Sequence, residues 1–339
     1  MIEHVINKID EDAVLTKQEA VTLLNVKNTS EEFYRLISKA NELSRKMYNS
    51  RAYIFVQIGI TSSPCSENCK FCSFAKDSFA VDTKFEKDMD QVVSEAKTIA
   101  GENIDALFLM TTADYDQKKF ISIGKAVREI LPENILLVAN IGDFDGNYAR
   151  RLKSAGFSGA YHIVRLREGI DTGIPKETRI ATLDAMKTAG LELYYCVEPI
   201  GREHTYDELA DEMIRAREYD VKVMAVMERV NVKGTPFENA ETLSELELTK
   251  IAAVTRIVTN PRMAMSIHEP RKMPLLAGVN QLYAEYGANP RDTDSKTETN
   301  RGFDIKSVRN MLSGAEYKPS VSGFMKAWKG HGDCRDDDN

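Results

Sequence analysis

The hydrophobic pattern of the chain changes once, near residue 50. Before that point, apolar residues recur every three or four positions, as in "SEEFYRLISKANELSRKMY", which is typical of amphipathic helices. After it, short apolar and β-branched runs alternate with longer amphipathic segments. We therefore predict an N-terminal helical extension over 1–50, an α/β domain over 51–318, and a C-terminal tail over 319–339.

Eight segments after residue 50 have the apolar, β-branched character of strands. They are 52–60, 104–112, 134–142, 159–166, 191–200, 221–230, 262–269 and 280–287. Helical spacing fills the segments between them, and a last helix is predicted near 304–314. Eight strands, each followed by a helix, predict a (β/α)8 TIM-type barrel. An open doubly wound sheet is the alternative, but the chain has neither a G-x-G-x-x-G nor a Walker A motif.

Charge and composition exclude several functional classes. The net charge of −7 and the pI of about 5.5 argue against a nucleic-acid-binding surface. No apolar stretch approaches the roughly 20 residues of a membrane span, and no signal peptide precedes the first helix. We therefore expect no membrane partner and a cytoplasmic location.

Three of the five cysteines lie in one short stretch, "SPCSENCKFCSF", directly after the first predicted strand. Cys65, Cys69 and Cys72 have the spacing C-x3-C-x2-C, and the barrel topology places this loop over the mouth, where chemistry collects. An odd, clustered set does not indicate disulfides. A structural zinc site usually has four protein ligands, whereas a [4Fe–4S] cluster held by three thiolates leaves one iron open. Structural zinc and a simple electron-transfer cluster remain as alternatives.

This motif, with Phe71 and Phe74 beside its last cysteine, resembles that of the radical S-adenosylmethionine (SAM) superfamily. Two later stretches, "LYYCVEPIGREHTYDE" and "KGTPFENAETLSELELTKIAAVTRIV", resemble its biotin synthase-like subgroup, which includes biotin synthase, HydE, HmdB and methylornithine synthase PylB. The resemblance covers about residues 30–315. It implies that the three cysteines bind a [4Fe–4S] cluster whose open iron binds SAM. One electron then cleaves SAM to a 5′-deoxyadenosyl radical that abstracts hydrogen from a small-molecule substrate. A ferredoxin- or flavodoxin-like electron donor is also implied.

The resemblance further implies residues that hold SAM. Glu168 in "RLREG" and Arg179 in "KETRIAT" match the pair that binds its ammonium and carboxylate groups, an arrangement suited to a zwitterion. Ordinary surface charge is the alternative reading, and Arg165 and Arg167 are the nearest alternatives in alignment. Gly201 is a candidate for a backbone contact to the adenine region, unless it only makes a turn.

Candidate substrate contacts are polar residues at the predicted strand ends. They are Asp114, Arg229, Ser266, His268 and Arg271, with the turn residue Arg291 as a possible anion clamp. Asp114 stands where the family often has a Gly-Gly-Glu-like motif, and it is equally suited to cap the next helix. A lone strand histidine such as His268 is more often structural than catalytic. No general acid or base is assigned, because hydrogen-atom abstraction needs none.

The resemblance to this subgroup leaves two reaction types open. Sulfur insertion of the biotin synthase type needs a second cluster held by three cysteines and an arginine, but Ala139 and Ala264 stand near two of the expected positions. Only Cys196 remains on a strand, since Cys334 lies in the tail. The sequence therefore favours rearrangement, fragmentation or C–C bond formation on a small polar metabolite, in amino-acid or cofactor biosynthesis. An iron–sulfur scaffold or electron-transfer protein is a further alternative.

A primary carbon radical must be kept from water and oxygen. We therefore expect the N-terminal helices, or the segment around "YKPSVSGFMKAWKG", to cover one opening of the barrel.

Overall fold

A computed structural model describes residues 2–10, 13–297 and 302–319. Its strands are β1 Arg51–Gly59, β2 Ala106–Met110, β3 Leu136–Asn140, β4 Gly159–Tyr161, β5 Glu192–Ile200, β6 Val223–Glu228, β7 Ala264–Ile267, β8 Gln281–Tyr286 and β9 Lys318–Pro319. Its α-helices are α1 Ile2–Asp10, α2 Lys17–Leu24, α3 Glu31–Met47, α4 Met89–Ala100, α5 Gln117–Ile130, α6 Gly146–Ser154, α7 Lys176–Ala189, α8 Tyr206–Glu218, α9 Glu245–Thr259 and α10 Ile305–Gly314. Short 3-10 helices span Lys76–Ser78 and Met273–Ala277. Every predicted strand is present, while the helix predicted near 271–278 is the second 3-10 helix.

The first eight strands form one closed parallel barrel. Each strand pairs with the next along the chain, and β1 closes the sheet by pairing with both β2 and β8. In this register Gln57 of β1 lies opposite Phe108 of β2 and Glu285 of β8. The (β/α)8 prediction is therefore confirmed, and the open doubly wound alternative is wrong. The two-residue strand β9, which was not predicted, pairs with the start of β1.

Local sequence signals set where the barrel helices begin. A side-chain oxygen just before the helix accepts the backbone N–H three residues later, which satisfies a donor that the first turn leaves unpaired. The residues that cap helices in this way are Asp88, Asp116, Asp145, Thr205, Ser244 and Asp304. For α4 and α8 the third residue returns a hydrogen bond to the cap backbone, completing a capping box.

An aromatic layer fills the barrel below its mouth. The rings of Phe55, Phe108, Tyr194 and Tyr283 have centroids 5.1–6.2 Å apart, mostly in edge-to-face contacts. All four side chains are buried. The mouth therefore opens into a cavity with a closed apolar floor, not into a pore.

The N-terminal helices lie along the outside of the barrel. Helices α2 and α3 pack on α9, and α2 also packs on α8. Two buried cations of α9 take their partners from this extension: Lys250 Nζ donates to Val26 O at 3.0 Å, and Arg256 Nε donates to Ser44 Oγ at 2.7 Å. No described residue of 2–50 lines the cavity at the mouth, so these helices do not cover that opening. The segment 320–339, with Cys334, lies outside the described residues.

Within the described residues, no helix combines the length and the apolar character that crossing a membrane requires.

Candidate active site

A cavity of about 900 Å³, including its opening, lies at the carboxyl ends of the strands. Its charged lining residues are Glu67, Arg165, Arg179, Glu198, Glu269, Glu285 and Arg291. Its other polar lining residues include Gln57, Thr111, Thr112, Asn140, Tyr161, His268 and Tyr283, together with the three loop cysteines. The cavity is therefore polar on its walls and aromatic on its floor.

The cysteine loop forms one wall of this cavity. Backbone hydrogen bonds fix its shape: Cys65 N–H donates to Phe74 O at 2.7 Å, and Cys72 N–H donates to Cys69 O at 3.0 Å. The Phe74 N–H points at Cys72 Sγ, 3.4 Å away. Backbone N–H groups directed at cysteine sulfur are one way in which proteins tune iron–sulfur clusters. The loop is thus folded to present its three sulfurs to the cavity.

The spread of these sulfurs favours a cluster over a single ion. Among the described residues, one set of three Cys, His, Asp or Glu ligand atoms lies within 4.8 Å of one another, and it is Cys196, Glu198 and His268. The three loop sulfurs therefore do not all lie within 4.8 Å of one another. Tetrahedral zinc with bonds of about 2.3 Å would hold its sulfurs about 4 Å apart. The donor set fits a larger group that meets three thiolates and has one metal corner without a protein ligand.

Burial keeps the loop thiols protonated in the absence of iron. It raises the pKa of Cys65, raises that of Cys69 to about 11, and raises that of Cys72 further. Metal binding requires the thiolate and releases the proton. We therefore expect protons to leave these three thiols when iron binds.

Arg179 is held on the opposite wall by two carboxylates. Its Nη1 lies 3.1 Å from Asp143 Oδ2, and its Nε lies 3.3 Å from Glu168 Oε2. Although burial acts to raise it, His162, Arg179 and neighbouring donors lower the pKa of Asp143 to about 2. These two ion pairs hold the guanidinium on this wall, although Nε makes no hydrogen bond among the described residues, and the side chain lines the cavity.

Glu168 stands behind Arg179 and does not line the cavity. One carboxylate oxygen accepts the Arg165 N–H at 2.9 Å, and the other accepts the Thr172 hydroxyl at 2.6 Å. Its side chain is fully buried. Glu168 therefore positions Arg179 and organises the turn after β4.

Arg165 is a second guanidinium in the cavity. Its Nε lies 3.7 Å from Glu198 Oε1 and has no hydrogen-bond partner among the described residues. Burial alone would lower the pKa of Arg165, but Glu168, Cys69 and Glu198 raise it, so the group stays charged. The cavity therefore offers two cationic groups on the side facing the cysteine loop.

Tyr161, Glu198 and His268 meet deeper in the cavity. The Tyr161 hydroxyl donates to Glu198 Oε2 at 2.8 Å, and His268 Nδ1 lies 3.7 Å from the same oxygen. Although burial opposes it, His268 and Arg165 lower the pKa of Glu198 to about 2. This carboxylate therefore remains ionised.

Arg291, from the turn after β8, lies between two carboxylates. Its Nε is 2.5 Å from Glu269 and its Nη2 is 2.6 Å from Glu285. This turn residue does reach the cavity, as an anion clamp requires. Like Arg179, it is paired with two carboxylates.

The remaining predicted contacts lie away from the cavity lining. Asp114 Oδ2 accepts the Ser66 N–H at 3.1 Å, so it anchors the cysteine loop, and the cap of α5 is Asp116 instead. Ser266 is fully buried inside the barrel and donates to Gln281 O at 3.3 Å. Arg271 joins the end of β6 to α9, because it pairs with Glu228 at 2.6 Å and with Glu245.

Gly201 and Arg229 form a packing unit beside the barrel. A Cβ on Gly201 would overlap the ends of the Arg229 and Glu203 side chains, which would have to shift to admit it. Arg229 pairs with Glu203 and stacks over the Phe237 ring with a centroid distance of 4.6 Å. Neither Gly201 nor Arg229 lines the cavity.

Several lining residues were missed as candidates from the sequence. Gln57, Tyr161 and Glu285 sit at inward positions near the carboxyl ends of their strands. The signal that could have found them is the alternation of inward and outward side chains, counted back from each strand end. Glu67 carries no such signal, because it lies within the cysteine loop.

Comparison with known proteins now decides the family. The family model described as the Radical SAM superfamily matches residues 60–246. The chain belongs to the radical SAM superfamily. It is 31% identical over 264 residues to the biotin synthase of Acetivibrio thermocellus, covering 74% of this chain and 80% of that relative. The biotin synthase of Brachyspira hyodysenteriae is 26% identical over 317 residues, which is 90% of each chain.

Solved structures support the fold of this radical SAM protein. Methylornithine synthase (PylB) superposes with a TM-score of 0.79 at 19% identity, covering 94% of this chain and 97% of that one. The FeFe-hydrogenase maturase HydG from Carboxydothermus hydrogenoformans gives a TM-score of 0.80 at 17% identity, covering 97% and 81%. At this identity the likeness concerns the fold alone.

The predicted enzyme class is therefore confirmed. The chain is a radical SAM enzyme of the biotin synthase-like type. This family uses a [4Fe–4S] cluster and SAM, and Cys65, Cys69 and Cys72 fit its cluster-binding motif. Members act on small-molecule substrates and take electrons from a donor.

Proposed function

We propose that this enzyme abstracts hydrogen from a small polar metabolite and thereby causes rearrangement, fragmentation or C–C bond formation, in amino-acid or cofactor biosynthesis. The observation that carries the proposal is the charged lining of the cavity below the cysteine loop. Four carboxylates and three guanidinium groups line it. Buried charges are favourable only when paired, so a substrate bearing amino and carboxylate groups suits this lining better than an apolar one.

Sulfur insertion is not favoured, because the described barrel interior offers too few thiols. Of the four described cysteines, only Cys196 lies on a strand. Ala139 packs in the core facing the helices, and the neighbouring cavity residue of β3 is Asn140. Ala264 of β7 lies in the interior cluster, where a guanidinium would be needed. These residues therefore do not supply the three cysteines and the arginine that would hold a sacrificial cluster.

The SAM-binding part of the proposal rests on the wall opposite the cysteines. When bound, the cluster and SAM supply reductive cleavage and a radical that can take hydrogen from an unactivated carbon. We propose that Arg179 binds the SAM carboxylate and that Arg165 contributes positive charge beside it. Glu168 contributes by positioning Arg179, and Glu67 of the cysteine loop is the cavity carboxylate available to the ammonium group.

The electron donor is proposed to be ferredoxin- or flavodoxin-like, since such proteins deliver single electrons at low potential. The cytoplasmic location also remains a proposal, which a reducing compartment for three free cluster thiols supports.

The test is anaerobic reconstitution with iron and sulfide, followed by SAM, dithionite and a panel of uniformly deuterated amino acids and related polar metabolites. We expect about four cluster irons per chain, formation of 5′-deoxyadenosine, and transfer of deuterium into it from the true substrate class. Acid-labile sulfide is measured before and after turnover. Its amount should stay constant, because no cluster sulfur enters the product.

Cys65→Ala supplies the matched comparison. This variant should lose the cluster and SAM cleavage, whereas Cys334→Ala, a thiol change in the tail, should keep both. Loss of sulfide in step with product would support sulfur insertion instead. A stable cluster without any SAM cleavage would support a scaffold or electron-transfer role.

A further inference from the structure

We propose that Cys196, Glu198 and His268 form a binding site for one divalent metal ion, of the zinc type, inside the barrel. The site is separate from the cysteine loop and has one coordination position open to the cavity. It does not depend on the proposed reaction, because metal binding requires no radical step.

The three side chains converge from two strand ends. Cys196 and Glu198 alternate with Val197 along β5, so both point into the barrel. His268 follows β7. Their ligand atoms all lie within 4.8 Å of one another, and the residues are 0%, 6% and 8% exposed, respectively. A cation entering between them would need only small movements to reach bonding distance.

The histidine ring is already fixed in place. It meets the Tyr283 ring edge-on with a centroid distance of 4.9 Å, and the Tyr161 ring lies 5.5 Å away on another side. Tyr161 also donates its hydroxyl to Glu198. Aromatic packing and this hydrogen bond orient two of the three ligands, as the surrounding residues of metal sites do.

His268 is incompletely paired in the described structure. His268 Nε2 is buried without a partner, and Nδ1 is 3.7 Å from Glu198, which is beyond hydrogen-bond distance. Cys196 Sγ lies 3.6 Å from the adjacent Val197 carbonyl and also interacts with Tyr161 and Glu198. Buried polar atoms are rarely left unpaired. The unpaired His268 Nε2 therefore points to a ligand that is not part of the protein.

The ligand types define the ion. Thiolate and imidazole select zinc and its neighbours in the transition series over magnesium or calcium. Three protein ligands leave the fourth tetrahedral position free, which is the pattern of sites that bind a further molecule. Glu198 and His268 line the cavity and Cys196 lies below them. The open position consequently faces the cavity, where it would accept an oxygen or nitrogen donor of a substrate.

Charge balance supports a cation at this place. The cavity lining has one more carboxylate than guanidinium groups. A divalent ion, bound together with the Cys196 thiolate, adds one net positive charge and so offsets this excess carboxylate. Buried charge is stable when it is balanced in this way.

The test uses the full chain reconstituted with its cluster, treated with chelator, incubated anaerobically with one equivalent of Zn²⁺ and desalted. We expect about one retained zinc per chain and an unchanged iron count. X-ray absorption at the zinc edge should show one sulfur at about 2.3 Å and nitrogen or oxygen neighbours near 2.0 Å. Cys196→Ser should lose the sulfur neighbour. His268→Gln and Glu198→Gln should weaken zinc binding at least tenfold.

Glu269→Gln is the matched control, because Glu269 is a cavity carboxylate outside the trio, and it should retain zinc. Cluster iron and circular dichroism verify that each variant is folded. Zinc with three sulfur neighbours would place it in the cysteine loop and overturn the proposal. So would zinc with an unchanged sulfur neighbour in Cys196→Ser, or no retained zinc in the wild-type protein.

Discussion

Arg179 shows how one side chain of this enzyme can be both buried and available. Its side chain is 6% exposed, and two carboxylates fix its guanidinium from behind. A guanidinium held in this way loses little conformational entropy when it meets a carboxylate, and the fork geometry favours two parallel hydrogen bonds. In the proposed role of Arg179, the positioning of SAM depends on both the charge and the orientation of this guanidinium.

We predict that Arg179→Gln weakens SAM binding to the cluster-reconstituted enzyme by about 10- to 100-fold. The reason is the loss of charge-assisted hydrogen bonds worth about 1.5–3 kcal/mol, at about 1.4 kcal/mol per tenfold. Anaerobic titration calorimetry with SAM measures the effect. Arg167→Gln is the control, since Arg167 lies in the same stretch but outside the cavity lining. Equal SAM affinity in both variants would contradict the assignment.

At the level of single residues, the sequence identified the side chains that belong to a recognisable local motif. It missed those whose place in the site depends on neighbours in the fold. The cysteine motif and Arg179 were identifiable from spacing and resemblance, and both line the cavity. Glu168 was expected to touch SAM, and this stays a prediction; what the sequence did not show is that its carboxylate accepts the Arg165 backbone N–H and the Thr172 hydroxyl. Such use is invisible in the sequence, because it depends on how the turn after β4 folds back.

Among the secondary-structure elements, close contacts between loops hold the mouth together. The turn after β3 packs on the turn after β2 so tightly that a Cβ on Gly142 would overlap the Ala113 carbonyl. The next residue, Asp114, holds the cysteine loop through Ser66. A displacement of Ala113 would therefore be transmitted to the loop that carries Cys65.

Gly142→Ala should destabilise the protein by about 1–3 kcal/mol, the usual cost of forcing an extra carbon into a packed site. It should also lower the cluster content after reconstitution. Urea unfolding and iron analysis are the two measurements. Gly146→Ala provides the comparison: the nearest atom to its Cβ would be a flexible Arg150 nitrogen at 3.6 Å, so stability should be unchanged or slightly higher. Identical unfolding midpoints for the two variants would refute this account.

Element types were predictable because the strand and helix patterns differ in period and length. The strands predicted at 159–166 and 262–269 are shorter in the structure, at Gly159–Tyr161 and Ala264–Ile267. Their apolar residues continue past the sheet into the turns that build the cavity, as Val164 does. Strand β9 was missed because two residues carry no periodic pattern.

For the whole molecule, the sequence pattern separated the first 50 residues from the barrel, whereas packing joins them. Phe33, Leu23, Leu24 and Leu36 of the extension belong to the same buried cluster as the barrel core. Full burial of such side chains contributes about 1.5–3 kcal/mol each, which is large beside a typical total stability of 5–15 kcal/mol. We therefore expect the extension to fold and unfold together with the barrel. A pattern along the chain cannot show this, because it does not reveal which surfaces meet.

Ser44 provides a direct test of this integration. It is fully buried in α3, where its hydroxyl donates to Gly278 O at 2.7 Å and accepts from Arg256 Nε at 2.7 Å. Ser44→Ala should lower the free energy of unfolding by about 1–3 kcal/mol, because it leaves a buried cationic group and a carbonyl without their partner. Urea denaturation followed by circular dichroism and by limited proteolysis of the barrel measures it.

Ser38→Ala, at an exposed position of the same helix, serves as the comparison and should have no measurable effect. If the extension and the barrel form one cooperative unit, Ser44→Ala shifts a single transition that both probes report. An independent extension would instead give an early transition for the helices alone, with the barrel midpoint unchanged. Deletion of residues 1–48 is a stronger form of the same test. If the extension and the barrel form one unit, the truncated chain should not unfold cooperatively, because the outer faces of α8 and α9 lose their cover.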